Sequence, residues 1–389
     1  MIYRPGIIIG TRPEAIKMAP LVAAFRQMEG MNPIVIVTGQ HSELLHPVLS
    51  FFGIFPEVEL GVMVRGQSLA ELNSRLLFEL DRVIPTLNLS SILVQGDTTS
   101  ALAGAMVGFY RKIDVVHIEA GLRTDDLYAP FPEEFNRRVI DQVSTVKFPP
   151  TAASLTRLVA ENMGVNSVMV GNTVIDALLL GLQLIEQRGV QPYHDWMESL
   201  GCVPGARRIL VTTHRRENGG APLDQICWAL RQLLEENSDL EILLPVHRNP
   251  EFFDTIHHRL KDTPRMILLE PLPYDKLIWA MSQSTLVLTD SGGLQEEAPA
   301  LNKPVLVMRD VTERPEGVTS GCAVLVGTSQ TKIVDEVTRL LRDHKAYAAM
   351  AESPNPYGDG TASRQIVNYL KLHFNQEVTP GNFNFVPTQ

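Results

Sequence analysis

Cysteine is scarce, with Cys202, Cys227 and Cys322 the only three in 389 residues. They are scattered, odd in number and without metal-ligand spacing. That argues against a disulfide framework and predicts reduced thiols in a cytoplasmic chain. Long apolar runs are missing too. No stretch approaches the ~20 residues a membrane helix needs, so no membrane partner is expected. The opening "MIYRPGIIIGTRPEAIK" has a short apolar run before Arg12 and Glu14 and reads as a first strand, not a signal peptide. Positive charge is in deficit: 34 Lys and Arg against 44 Asp and Glu leave a net charge of −10. This speaks against nucleic acid as a partner, because phosphate backbones call for basic surfaces. A small anion remains open wherever cations gather locally. Solenoid repeats and low-complexity tracts are also absent.

What is present is alternation. "GIIIG", "PIVIVTG", "SILVQGD" and "DVVHIEAG" read as buried strands in the first half, and "RRILVTTH", "EILLPVH", "RMILLEP", "STLVLTD" and "KPVLVMRD" in the second. Amphipathic stretches such as "PEAIKMAPLVAAFRQM" and "TTSALAGAMVGFY" lie among them. Continuous apolar strands joined by helical crossovers predict an α/β protein with parallel sheets covered on both faces. At ~150 residues per domain the length predicts two domains. A joint is placed near residue 171, followed by "GNTVIDALLLGLQLIEQRGV", read as helix. A polar connector then contains Pro192, Gly201, Pro204 and Gly205. Two doubly wound domains, 1–170 and 171–360, are expected to face a central cleft at their strand ends, with 378–389 a poorly ordered tail.

Polar residues cluster where the strands end. "GTRPEAIK" sets Arg12 and Lys17 around a helix start that Pro13 suits, although a capped helix with a surface arginine is the better explanation of the motif taken alone. In "QGDTTSALAG", Asp97 or Thr98 is a natural helix cap. "HIEAGLRTDDLYAPFPEEFNRR" is harder to read as mere surface, because Glu119 ends an apolar strand where an unpaired carboxylate is expensive. Its loop adds Arg123, Asp125, Asp126, Glu133, Glu134, Arg137 and Arg138, stiffened by Pro130 and Pro132, as a lid or active-site loop would be. In the second half "TTHRRENGG" brings His214, Arg215 and Arg216 to a strand end, donors suited to phosphate. His247 in "PVHRNP" reads as a structural histidine. "LTDSGGLQEEAP" offers Ser291, Gly292 and Gly293 with backbone N–H groups at a helix start. "RDVTERPEG" adds Arg309, Glu313 and Arg314. Together these predict a diphosphate site. The acidic pair fits a nucleotide, with Glu297 reading ribose hydroxyls and Glu296 a solvated or structural neighbour.

In order, "GTRPEAIKMAP", "GDTTSALAG", "HIEAGLRT", "PFPEEFNRR", "GNTVIDAL", "THRREN", "LTDSGGLQEEAP", "KPVLVMRDVTERPEG" and "NPYGDG" resemble the bacterial non-hydrolysing UDP-N-acetylglucosamine 2-epimerases, from about Gly10 to Leu372. The resemblance implies a glycosyltransferase-B fold with a C-terminal helix, 361–376, returning to the first domain. It implies interconversion of UDP-N-acetylglucosamine and UDP-N-acetylmannosamine by elimination of UDP to 2-acetamidoglucal and re-addition. Asp97, Glu119 and Glu133 match the family's catalytic carboxylates, with base and acid unassigned. Arg12, Lys17, His214 and Arg314 match residues on the diphosphate. Ser291, Gly292 and Gly293 match the phosphate loop, and Glu297 the ribose ligand. No metal or nicotinamide cofactor is implied. A homodimer is, as is a second UDP-N-acetylglucosamine bound as activator near Gln40, His41 and Gln67. Three positions depart from the family pattern: Gly66, Asp125 and Arg248.

Those departures leave other readings open. A modified UDP-sugar, such as a UDP-2,3-diacetamido uronic acid, would want an extra cation, and Arg248 or Arg123 offers one. A glycosyltransferase would share the nucleotide pocket but would not need three carboxylates. A hydrolysing epimerase would release free N-acetylmannosamine, which the match of "GTRPEAIKMAP" and "PFPEE" disfavours.

Overall fold

The computed structural model describes residues 2–39, 42–124 and 126–374. The expected tail at 378–389, together with Gln40, His41 and Asp125, lies outside the described residues. The chain forms two compact units, Met1–Ala177 with Gly358–Gln389, and Leu178–Tyr357. Among the described residues no helix is long and apolar enough to cross a membrane.

The first unit is built on β1 (Pro5–Ile9), β2 (Ile34–Val37), β3 (Val58–Glu59), β4 (Ser91–Gln95), β5 (Asp114–Ile118) and β6 (Val146–Phe148), in the order β3-β2-β1-β4-β5-β6. The second has β7 (Arg207–Thr212), β8 (Leu240–Pro245), β9 (Met266–Leu269), β10 (Leu286–Thr289), β11 (Val305–Val307) and β12 (Ala323–Leu325), ordered β12-β11-β10-β7-β8-β9. Every pairing is parallel. Counted from its own first strand, the second sheet repeats the order of the first, which is that of a dinucleotide-binding fold. In each sheet the chain therefore reverses direction once, between β1 and β4 and between β7 and β10. The loops at the carboxyl ends of these two strand pairs diverge there and leave room for a ligand.

The central strands are largely apolar because helices cover both faces. All five residues of β1 and of β4 are buried. The core of the first unit gathers Ile8, Ile36, Leu76, Leu80, Ile92 and Ala101, and that of the second Ile209, Leu230, Ile242, Phe252, Leu288 and Val337. The helix Thr99–Arg111 lies close to its sheet because Gly104 has no Cβ to strike the Ile8 side chain. The helix Ala362–Phe374 belongs to the first unit. Phe374 stacks on Tyr3 with centroids 4.8 Å apart, Tyr369 meets Phe148 edge-on at 5.5 Å, and Ser363 N–H donates to Asp176 Oδ1 at 2.7 Å.

The segment read as a polar connector contains a helix, Gln191–Ser199. Pro192 stands in its first turn, where the missing N–H is no loss. Tyr193 and His194 pack on Trp279, with centroids 5.5 and 5.2 Å away.

Gly10, just past β1, is held to the smallest side chain by its neighbours. A Cβ there would overlap Ser100 and lie 3.1 Å from Thr38 Oγ1, and those two hydroxyls bond each other at 2.9 Å. Gly10→Ala is expected to lower the urea midpoint by an amount equivalent to about 1–3 kcal/mol. Adding Ser100→Gly should recover part of that loss, and an unchanged Gly10→Ala midpoint would show the packing to be loose.

Candidate functional site

Each point where strand order reverses is closed by one buried carboxylate. In the first unit it is Glu14, on the helix Arg12–Gln27 that follows β1. Its Oε2 accepts from Gly10 N at 3.0 Å, Thr11 N at 2.6 Å and Thr11 Oγ1 at 2.8 Å. Its Oε1 accepts from Thr98 Oγ1, 2.7 Å away in the loop after β4. Burial pushes the Glu14 carboxyl up to about 7, against these hydrogen bonds, which lower it. One side chain thus ties the loop that carries Arg12 to the loop that carries Asp97.

Thr98, not Asp97, caps the helix Thr99–Arg111, accepting from Ala101 N at 3.1 Å. That leaves the Asp97 carboxylate for Arg137, whose guanidinium reaches Oδ2 at 2.5 Å, while Asn136 donates to the Asp97 carbonyl at 2.8 Å. Both donors come from the helix Glu133–Val143. At the head of that helix the two glutamates divide. Glu134 is fully buried and accepts from Thr124 N at 3.0 Å and Arg138 Nε at 2.6 Å, tying down the loop. Glu133 keeps a buried Oε2 that lacks a hydrogen bond. A carboxylate oxygen so placed is costly unless something later binds it.

Glu119 follows β5 with φ at +66°. A non-glycine residue in that conformation costs ~1–2 kcal/mol, and this one is also 6% exposed. Its charge is compensated by Lys17 and by the Gln95 amide, both on Oε2, and Asn172 Nδ2 lies 3.4 Å from Oε1. Lys17, expected on a diphosphate, is here paired with Glu119. Beneath them, buried His117 bridges Asp141 Oδ1 at 2.6 Å and the Gly96 carbonyl at 2.8 Å. Burial would raise the Asp141 carboxyl, yet His117 and Arg123 hold it below the usual range. Arg123 is spent in this network, 2.7 Å from Asp141 and 2.7 Å from Glu161.

In the second unit the closing carboxylate is Asp290, just past β10 and fully buried. Its Oδ2 accepts from Thr213 Oγ1 at 3.0 Å, His214 N at 2.9 Å, Arg215 N at 2.9 Å and Asn218 Nδ2 at 3.0 Å, all in the loop after β7. Its Oδ1 faces His214 Nδ1 at 3.0 Å, which turns the imidazole Nε2 away from the carboxylate. Burial would raise this carboxyl too, but His214 and the backbone N–H groups lower it. His247 lies beside His214, ring centroids 6.3 Å apart, its Nδ1 accepting from Asn249 N at 3.1 Å.

Ser291 precedes the helix Gly292–Glu297 with no capping bond from its hydroxyl. Glu297 accepts from Tyr274 Oη at 3.3 Å. Of the two readings of Glu296, a solvated or a structural neighbour, the structural one holds, since it is neither exposed nor at the start of the helix. It is buried and ion-paired with Arg314, because the short helix turns it inward against the loop after β11. Arg314 is thus held by a carboxylate that sequence spacing does not link to it. Arg309 reaches Glu217 at 2.9 Å. Of the residues expected to bind an activator, Gln67 donates to Met63 Sδ at 3.0 Å and accepts from Arg75 at 2.9 Å.

Residues 23–371 match the family described as UDP-N-acetylglucosamine 2-epimerase. The chain belongs to that family. The Escherichia coli K12 UDP-N-acetylglucosamine 2-epimerase is 44% identical over 373 residues, 94% of this chain and 97% of the relative. The crystal structure of Neisseria meningitidis UDP-GlcNAc 2-epimerase bound to UDP-GlcNAc superposes with a TM-score of 0.85 at 39% identity, covering 95% of this chain and 99% of that one. The Methanocaldococcus jannaschii UDP-GlcNAc 2-epimerase in complex with UDP-GlcNAc and UDP gives 0.76 at 31% identity, covering 95% and 99%. The fold is accordingly of the glycosyltransferase-B type, and this epimerase-family chain is an isomerase.

Sequence reasoning missed the supports: Gln95 and Asn172 on Glu119, His117 and Asp141 below it, and Asp290 behind His214. A carboxylate closing an apolar strand was the available signal for Asp290, as it was for Glu119.

Two predictions follow from the buried carboxylates. The folded Glu14 carboxyl is raised above its unfolded value, so its stabilising neutral form is complete below that value and lost as pH rises through about 7. Relative to Glu14→Gln, the native protein should lose on the order of 3 kcal/mol between about pH 5 and pH 8, read from thermal unfolding. Parallel curves for the two proteins would refute the shift. Arg314→Ala leaves Glu296 buried without its partner and should destabilise by about 3 kcal/mol. Adding Glu296→Gln should restore much of this, and strict additivity would deny the pairing.

Proposed function

We propose that this chain interconverts UDP-N-acetylglucosamine and UDP-N-acetylmannosamine without hydrolysis. A carboxylate removes the C2 proton as the C1–O bond to UDP breaks, leaving 2-acetamidoglucal and UDP. Re-addition of UDP at C1, with protonation of C2 from the opposite face, gives the epimer. Inversion calls for acid–base groups on both faces of the sugar, and Asp97, Glu119 and Glu133 are the candidates. Arg12, Lys17, His214 and Arg314 would stabilise the departing diphosphate, with Ser291, Gly292 and Gly293 on its phosphates and Glu297 on the ribose. The observation that carries this reading is Glu119. It is a buried carboxylate in a strained backbone conformation, matched by a lysine and two amides, beside a loop whose Glu133 has an unbonded oxygen. A structural ion pair would need neither the strain nor the second acid.

The relatives bound to UDP-GlcNAc and UDP support the substrate class. A second UDP-N-acetylglucosamine as activator near Gln67, and a homodimer in the cytoplasm, complete the proposal. A sugar with an added carboxylate is less well served, because Arg123 is engaged by Asp141 and Glu161. Arg248, the other candidate cation, stands exposed, 3.6 Å from Glu270.

The deciding experiment is proton NMR of the protein with UDP-N-acetylglucosamine in deuterated water. The manno epimer with deuterium at C2 and no free sugar is expected. Free N-acetylmannosamine would make it a hydrolase, and no exchange would point to another sugar or a transferase. Asp97→Asn and Glu133→Gln should each cut turnover by ~10²–10⁴ while UDP binding, followed by calorimetry, persists. Parallel loss of binding and turnover would make both residues structural.

A further inference from the structure

The stretch "NPYGDG" closes the second unit, whose last residue is Tyr357. Tyr357 is buried, and its hydroxyl stands between two backbone groups that follow β11. It accepts from Gly317 N at 2.9 Å and donates to the Arg314 carbonyl at 3.1 Å. Gly317 is the third residue of the helix Pro315–Ser320, where an N–H has no partner within the helix. A Cβ on Gly317 would lie 3.0 Å from the Tyr357 hydroxyl, so the glycine makes the room. Burial pushes the Tyr357 hydroxyl above its ordinary value, and it keeps the proton it donates. Asn355 serves the other half of the Arg314–Glu296 pair. Its Nδ2 donates to the Glu296 carbonyl at 3.1 Å, and its Oδ1 accepts from Tyr357 N at 3.0 Å, which settles the direction of the amide. The Arg314 N–H is held as well, by Thr312 Oγ1 at 3.0 Å, whose own proton goes to Gln295 Oε1 at 2.6 Å.

We propose that Tyr357 and Asn355 are positioning residues for the UDP diphosphate, fixing from behind the main chain of Arg314 and Glu296 and so the direction of the Arg314 guanidinium. The proposal rests on reading Arg314 as a ligand of the departing diphosphate. A guanidinium is carried on a long stem, and its planar fork matches a phosphate in a defined orientation. The Glu296 carboxylate orients that fork, but an ion pair turns with the residues that bear it. Those residues belong to separate elements, Glu296 to the helix Gly292–Glu297 and Arg314 to the head of Pro315–Ser320. Each helix has six residues, too few to be stable alone. Two side chains of one short stretch reach the backbone of both. A tyrosine that only filled the core would need its ring and not its hydroxyl, and here the hydroxyl makes both hydrogen bonds.

Tyr357→Phe keeps the ring and deletes the hydroxyl. UDP binding is measured by calorimetry on the native protein, Tyr357→Phe, Arg314→Ala and the double variant, below all four unfolding midpoints. Both single variants should weaken UDP, Tyr357→Phe by ~10-fold. With Arg314 removed, Tyr357→Phe should change the affinity by less than about twofold, because it acts through a group no longer there. A purely structural hydroxyl would cost the same factor in both backgrounds. That result, or an unchanged affinity in Tyr357→Phe, overturns the proposal. Asn355→Asp keeps the oxygen for Tyr357 N and loses the donor to Glu296, and it makes the same comparison if Tyr357→Phe does not fold. If Arg314→Ala leaves UDP affinity unchanged, Arg314 is no ligand of the diphosphate, and that reading and this one fall together. If Arg314→Ala weakens UDP while Tyr357→Phe does not, only the present proposal falls.

Discussion

A carboxylate sealed at the point where strand order reverses is the constraint on which both units depend. Glu14 and Asp290 seal the same reversal point on two sheets of identical strand order, Glu14 from the side of the first strand and Asp290 from the side of the fourth, and each is buried. A carboxylate out of water is tolerable only when donors surround it. The donors within reach are the backbone N–H groups and short hydroxyl side chains of the strand-end loops. Satisfying the buried oxygens therefore specifies the loops. Gly10, Thr11 and Thr98 must converge on Glu14, and Thr213, His214, Arg215 and Asn218 on Asp290. Residues that face outward from those loops inherit their positions without needing contacts of their own.

A further set of paired charges rests on this. Arg137 with Asp97, Lys17 with Glu119 and Arg314 with Glu296 each join a loop at a strand end to a helix of the same unit. Such pairs contribute little net stability, because desolvation offsets their attraction. Their effect is geometric: breaking one leaves a bare charge in a dry place, so the pair holds its two elements in register. Stored strain belongs to the same account. The left-handed backbone at Glu119 persists because Lys17, Gln95 and Asn172 over-determine the side chain.

Much of the fold was legible because central parallel strands must be apolar on both faces. All nine strands named from sequence are present. The three that were not, β3, β6 and β12, lie at sheet edges and have two or three residues each, too short to stand out as apolar runs. The helix Gln191–Ser199 escaped for a related reason: its anchor is an aromatic contact to Trp279, far along the chain. At the candidate site, residue types at strand ends marked Glu119, His214 and Ser291. Their partners were invisible because hydrogen bonds across 102 residues, as between Lys17 and Glu119, or across 77, as between Thr213 and Asp290, leave no local period. Glu296 shows the limit most clearly. Beside Glu297 it reads as a helix-start acid, and only the turn of a six-residue helix reveals which way it faces.

The acidic composition and the proposed anionic ligand can be reconciled on the same physics. A net charge of −10 is spread over a surface in salt water, where the screening length is ~8 Å. Beyond that distance the excess of carboxylates hardly opposes an approaching diphosphate. Within it, what matters is which charges are already neutralised. The carboxylates nearest the candidate ligands are the paired or hydrogen-bonded ones, Asp290, Glu296 and Glu119, while backbone N–H groups and the outward face of the His214 imidazole stay oriented to donate. Local donor geometry outweighs global charge. Each sheet sets acids and cations side by side at its strand ends, Lys17 with Glu119 in the first and Arg314 with Glu296 in the second, so neither unit depends on the sign of the whole surface.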